Sequence, residues 1–358
     1  MNNPLWHDYR MILNKSFSNN QLFLEPIKSK ALQCISLWKS QPSVAISPDV
    51  QKMALDVLGH CILGKDFNTL GGNTTGPLHA YNTIINTLFT PLVIFFPRVQ
   101  QLPLPRFKKL LSAISEFDSY CWKIINQSKG QVSLSKSDTH LIELMVANGL
   151  PEGTVRDNVG TFFFAGHETT ASTIIWACGL LATKPLIQQR LRQELADATD
   201  NGKRELGYEE LLNLHYLDWF LKETMRCHPA VTSITTRSTK NQTVIGDWCL
   251  PADLPVKIDF ISMLQDADIW GEDSLLFDPE RWSPERITKA QLRAYMPFSS
   301  GPRVCMGKNF SLLEQKVFFY CLLKECPNIQ LAPGGRLEVD RNTIFNVPSA
   351  KLLRLTVK

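Results

Sequence analysis

The sequence predicts a mainly α protein with small β-sheets, and three observations carry that expectation. Apolar residues recur at helical spacing through Leu22–Lys39, Val50–Leu63, Leu78–Leu88 and Phe107–Ser128. A long apolar stretch opens after Pro151 and runs to about Thr183, where Pro185 stops it. Beyond His228-Pro229 the texture changes. TVIGDWCLPADLPVKIDF (243–260) alternates apolar and polar residues around turn residues, as a small sheet does.

Taken in order, the remaining segments fit this frame. LGGNTTGP (70–77) reads as a loop, and TPLVIFFPRVQQLPLPRF (90–107) is apolar but carries four prolines, which excludes one long helix. SKGQVSLSKSDT (128–139) reads as a polar surface linker. A charge-alternating helix is expected over Pro185–Thr199 and another over Glu209–Cys227, ended by Pro229. FDPERWSPER (277–286) follows the sheet segment, then the loop PFSSGPRVCMGKNF (297–310), then a helix over about Lys308–Lys324. The last segment, LEVDRNTIFNVPSAKLLRLTVK, again reads as short strands, and no internal repeat and no Rossmann glycine pattern is present.

Thr161–Ala182 has the length of a membrane-crossing helix, but His167, Glu168 and several hydroxyls occupy its interior. A buried helix of a soluble domain is the expectation, and its polar centre then needs a reason. A hydrophobic fraction of 44% with 20% charge is ordinary for a packed core. The net charge of +4, without a dense Lys/Arg block, argues against a nucleic-acid partner. Nine scattered cysteines without a CxxC pair or zinc spacing argue against a disulfide scaffold or structural zinc, and fit reduced thiols facing cytosol.

Among the nine cysteines, Cys305 stands apart. Gly301 and Gly307 allow tight turns and close approach, Pro302 stiffens the loop, and a helix N-terminus just after it favours a thiolate. A lone cysteine is ordinarily a small buried hydrophobe. This setting points instead to a thiolate that ligates metal or acts as a nucleophile.

The pattern Phe298-x-x-Gly301-x-Arg303-x-Cys305-x-Gly307 resembles the haem-binding signature of the cytochrome P450 family. That resemblance implies haem b (iron protoporphyrin IX), with Cys305 as axial iron ligand, Phe298 shielding the sulfur and Arg303 on a propionate. AGHETT (165–170) is similar to the family's oxygen-activation segment. Physically, Ala165 and Gly166 leave room beside a helix for a small ligand, and Glu168 with Thr169 sets an acid beside a hydroxyl for proton delivery. Alone, the same residues read as a cap or a satisfied polar cluster.

Glu223 and Arg226 match the family's ExxR; i,i+3 spacing puts them on one helical face, where a surface ion pair is the ordinary outcome. Arg281 in FDPERW matches the third member of the family's structural network, with Arg286 in the repeated Pro284-Glu285-Arg286 a weaker candidate. TTR (235–237) offers Arg237 for a propionate, and WHDYR offers Trp6 and Arg10 as the family's helix C pair. The resemblance places substrate contacts in Phe162–Thr169, Val231–Thr236 and Ile344–Val347, above all at Phe162, Ala165, Val231, Ile234 and Phe345.

The resemblance thus implies one cytochrome P450 domain over 1–358, incomplete at its N-terminus, since the helix C pair stands at the start of the chain. An anchor, helices A and B, the first strands and a pocket-covering loop are expected upstream, with the strands after Thr243 left with an exposed edge and haem held more weakly. The implied reaction is monooxygenation of an apolar small molecule, terpenoid-like or lipid-like, with O2. Electrons would come from NADPH through NADPH-cytochrome P450 reductase, with cytochrome b5 as a second donor. The implied location is the cytosolic face of the endoplasmic reticulum membrane if the full-length protein has an anchor. Two other readings stay open: a non-catalytic haem-binding remnant, and an O2-independent isomerase or dehydratase of the same family.

Overall fold

Two prolines bracket the longest element. Pro151 is extended (φ −54°, ψ 137°), the helix Glu152–Thr183 runs 32 residues, and Pro185 opens the next helix, Pro185–Ala198. Proline suits the first turn of a helix and cannot continue one, so both boundaries follow from backbone chemistry. The computed structural model describes residues 5–72, 77–129, 140–234, 236–340 and 345–357. It divides into two units, Met1–Leu214 with Met306–Lys358, and His215–Cys305.

The first unit is helical around that central helix. From Thr170 to Leu181 every residue of it is buried, the signature of a helix covered all round. The helices Leu24–Lys39, Ile46–Leu58 and Lys308–Glu325 pack beside one another, with Trp38 edge-on to Phe318 at 5.9 Å. The strand Ile329–Leu331 pairs antiparallel with Leu355–Val357, and Val44 adds a bridge to Leu355. In the second unit, the helix His215–Cys227 precedes two antiparallel pairs. Arg237–Ser238 meets Pro255–Val256, and Thr243–Ile245 forms a hairpin with Trp248–Leu250. Phe260, Leu264, Trp270 and Trp282 form a core there, with Ile234 packed against it.

Several expectations change in detail. The segment expected as Val50–Leu63 starts at Ile46, ends at Leu58 and continues as a wide π-type turn over Gly59–Leu63, closed by left-handed Gly64 (φ 71°). The single helix expected over Glu209–Cys227 is two, Tyr208–Leu212 and His215–Cys227. Asn213 folds its N–H onto the carbonyls of Glu209 and Glu210 and leaves the ladder, at the border of the two units. Residues 90–107 form two short helical turns, Pro91–Phe95 and Pro97–Gln101, as the prolines require. The linker expectation falls mostly on 130–139, outside the described residues, while Ser128 and Lys129 end the helix Pro105–Lys129. Every sheet among the described residues has two strands. No single helix among the described residues is long and apolar enough to cross a membrane.

Candidate functional site

Glu223 and Arg226 sit one helical turn apart and are fully buried, not a surface pair. Arg226 donates through Nε to Glu223 Oε2 at 2.9 Å and through Nη2 to Oε1 at 2.8 Å. Its remaining N–H groups reach the carbonyls of Leu264, Ser274 and Leu276 at 2.9, 2.6 and 3.0 Å. Bidentate pairing and carbonyl bonds together satisfy a charge that would otherwise be costly to bury. Arg281 is also buried, its Nε 3.5 Å from Glu223 Oε1, with Nη1 donating to Trp270 O and both Nη atoms turned to Asp273. Arg286 is exposed and pairs with Asp278 at 2.7 Å, outside the buried set.

Two partners of this network were not assigned from sequence. Trp282 donates its indole N–H to Glu223 Oε2 at 3.0 Å, and the Asp278 amide donates to Oε1 at 3.0 Å. Trp282 closes the FDPERW segment, so a buried-donor role for that indole was the signal available.

The cysteine loop belongs to the same unit. Cys305 donates its amide to Phe298 O at 2.9 Å, which closes the loop around Gly301. Gly301 has φ 71°, as the tight-turn reading expects, and Ser299 adopts φ 63°, a left-handed conformation unusual for serine. Ser299 carries no sequence signal for this; such strain gathers where the surroundings dictate the backbone. Gly307 departs from the expectation. Its φ is −82° and an added Cβ would meet Phe17 at 3.8 Å, an ordinary contact, so the backbone conformation does not demand glycine there. Cys305, Gly301 and Arg303 are exposed and Phe298 is half-buried. Arg237, in the short strand, and Val231 are exposed, Ile234 turns into the core, and Thr235 lies outside the described residues.

Seven other cysteines are buried and one, Cys249, is exposed. Burial pushes the thiols of Cys121, Cys227 and Cys321 up to about 12 and Cys326 to about 11, so none of these is a ready thiolate.

In the first unit, the central helix carries AGHETT. Ala165 is exposed and Phe162 and Thr169 are partly so, at i, i+3 and i+7 on one face. Thr169 donates its hydroxyl to Ala165 O at 2.9 Å. Glu168 is nearly buried and accepts from Gln51 Nε2 at 3.2 Å. Gly166 faces elsewhere than the sequence suggests. An added Cβ would lie 2.6 Å from Leu58 Cδ1, so its small size serves close helix packing and not room for a ligand. Phe162 stacks on Phe17 at 5.9 Å, and Phe345 meets Phe164 at 5.5 Å. Ile344 lies outside the described residues. Trp6 and Arg10 share the helix Leu5–Leu13, both half-buried.

Comparison with known proteins closes the question of kinship. The family model "Cytochrome P450" matches residues 1–348. The chain is similar to cytochrome P450 72A397 of Kalopanax septemlobus, 28% identical over 356 residues, covering 92% of this chain and 66% of that one. It is similar to the cytokinin hydroxylase of Arabidopsis thaliana, 25% identical over 341 residues, covering 90% of this chain and 64% of that one. Among solved structures, retinoic acid-bound cyanobacterial CYP120A1 matches with a TM-score of 0.82 and 26% identity, over 98% of this chain and 78% of that chain. The chain therefore spans about two thirds of the length of these curated relatives. The motifs, the helical fold and these matches agree: the chain belongs to the cytochrome P450 family, whose members are haem-iron monooxygenases.

Proposed function

We propose that this chain is the haem-thiolate portion of a monooxygenase that inserts one atom of O2 into a C–H bond of an apolar small molecule. The other atom leaves as water, with two electrons drawn from NADPH through NADPH-cytochrome P450 reductase and two protons from solvent. The observation that carries this reading is the exposure of Cys305 in a strained loop while seven other cysteines are buried and protonated.

The residues present fit an iron porphyrin. The cationic side chains assigned to propionates, Arg303 and Arg237, stay exposed and Arg10 is half-buried with Trp6, whereas the Glu223–Arg226–Arg281 set is sealed. Accessible thiol and cations are the donor set that a dianionic, thiolate-ligated haem needs. When bound, the haem iron supplies binding and activation of O2. Glu168 and Thr169 deliver protons, and the Thr169 bond to Ala165 O holds the hydroxyl in place while the small side chain of exposed Ala165 leaves room on that face. Gly301 and Ser299 set the loop, and the buried network braces the segment that leads to it.

Phe162 and Phe345 support an apolar substrate. The cytokinin hydroxylase and the retinoic acid-bound relative support the terpenoid-like or lipid-like class. Attachment at the cytosolic face of the endoplasmic reticulum is supported by an exposed strip of Leu92, Ile94, Phe95, Phe96, Leu102 and Leu104. Exposed Arg98, Arg106, Lys108 and Lys109 flank it and suit anionic lipid.

The test is the reduced, CO-bound difference spectrum of the haem-loaded chain. A strongly red-shifted Soret band that Cys305→Ala abolishes is expected, and its absence from the parent chain defeats the reading. With reductase and substrate, Thr169→Ala should divert electrons to hydrogen peroxide. Unchanged coupling would remove Thr169 from proton delivery.

A further inference from the structure

Among the described residues, several buried polar atoms of the first unit lack a hydrogen-bond partner, and two of them lie near the acid of AGHETT: His167 Nε2 and Tyr81 Oη. His167 is fully buried, with Tyr81 edge-on to its ring at 5.0 Å and Phe163 at 5.4 Å. Its Nδ1 lies 2.6 Å from Phe163 O. A peptide carbonyl can only accept, so Nδ1 carries a hydrogen. Nε2 then holds either a bare lone pair or a second proton.

That nitrogen lies 3.5 Å from Glu168 Oε1. An ionised carboxylate offers only lone pairs, and two lone pairs set against each other in an apolar enclosure repel. One proton between them turns repulsion into attraction, whichever partner formally holds it. Two further groups among the described residues face this pair, and neither is a cation. Gln51, from the helix Ile46–Leu58, is neutral and donates to Glu168 Oε2. Tyr81, from the helix Pro77–Leu88, has its phenol pushed up by burial and by the Glu168 charge, so it keeps its proton.

We propose that His167 is a positioning residue that shares one proton with Glu168, keeping the acid beside Thr169 loaded. When Glu168 passes that proton toward Thr169, the imidazole stays neutral with Nδ1–H still on Phe163 O, and one proton from solvent restores the pair. This inference rests on the reading of Glu168 as the acid of the proposed reaction.

The test uses the haem-loaded, CO-bound ferrous chain with nitrogen-15 histidine, read by long-range proton–nitrogen NMR. His167 signals are identified by their loss in His167→Gln and, independently, in His167→Phe. Expected is a protonated Nδ1 and an Nε2 resonance displaced from the bare lone-pair position, returning to that position in Glu168→Ala. An unprotonated Nδ1, or an Nε2 resonance identical in the parent and Glu168→Ala, overturns the proposal. In turnover with reductase, His167→Phe should raise the peroxide fraction about tenfold, increasingly so at higher pH. His167→Gln, whose amide can still donate to Glu168, should recover part of the coupling. Equal peroxide fractions in both variants across pH would reduce His167 to packing. Loss of the CO band in the parent chain would instead strike the monooxygenase reading, while the resonances still report the shared proton.

Discussion

Trp282 and Glu223 are joined by an indole N–H bond of 3.0 Å to Oε2, inside a set that also holds the Asp278 amide and the Arg226 guanidinium. The carboxylate is thus met on both oxygens, and the tryptophan is part of the network and not merely packed beside it. Removing a donor from a buried carboxylate costs more than removing an exposed one, because water cannot replace it.

Trp282→Phe should therefore lower the unfolding free energy by about 1.5–3 kcal/mol, the range for a hydrogen bond to a charged group. Glu223→Gln, which takes the bidentate counter-charge from Arg226 and leaves Arg281 with Asp273 alone, should cost more, about 3–5 kcal/mol. Urea titration of the haem-loaded chain measures both. A reversed order would mean that Trp282 acts mainly through its ring.

The contact between Gly166 and Leu58 predicts a size-dependent pair. Gly166→Ala should destabilise by about 1–3 kcal/mol, because the new methyl meets Leu58 Cδ1. Leu58→Val removes the colliding carbons, so the double variant should be more stable than the single costs add up to. Strict additivity in a double-mutant cycle would show that the helices shift apart instead.

Glu314 is fully buried with both carboxyl oxygens unpartnered, and burial holds its carboxyl well above the ordinary range. The folded chain then binds a proton that the unfolded chain has released. Its contribution is present below the ordinary carboxyl value and is lost as pH rises. Glu314→Met should raise stability at neutral pH by about 1–3 kcal/mol and flatten its decline above roughly pH 5. Thermal unfolding across pH measures this; an unchanged slope would count against a buried acid.

His228 carries the opposite sign. Burial, followed by the Arg226 charge, lowers it from 6.5 to about 4. The unfolded imidazole takes up a proton first, so stability is complete above pH 6.5 and drains away as pH falls toward 4. The loss by pH 4 should approach about 3 kcal/mol. His228→Gln should remove that acid limb, and a limb that persists in the variant would assign it to carboxylates elsewhere.

Local chemistry made much of this legible. Pro151 and Pro185 mark the central helix to the residue, because a missing N–H acts where it stands. Phe298 to Gly307, AGHETT, ExxR and FDPERW mark the candidate site by type and spacing. What escaped depends on distant partners. Gly166 reads as ligand room until Leu58 arrives from another helix, and His167 reads as one polar residue among several until Tyr81 encloses it. The break at Asn213 escaped for another reason: apolar spacing continues straight through Glu209–Cys227, and only the cap geometry interrupts it.

The order of the two units along the chain bears on synthesis. The second unit is one uninterrupted stretch, His215–Cys305, and its whole Glu223–Arg226–Arg281 network emerges from the ribosome together. The first unit is split, and it needs Lys308–Glu325 and the strand Leu355–Val357 to cover helices made much earlier. A nascent chain paused after Cys305 would hold all of the second unit and only part of the first, with Trp38 still waiting for Phe318. Chaperone dependence should accordingly concentrate in the last moments of translation.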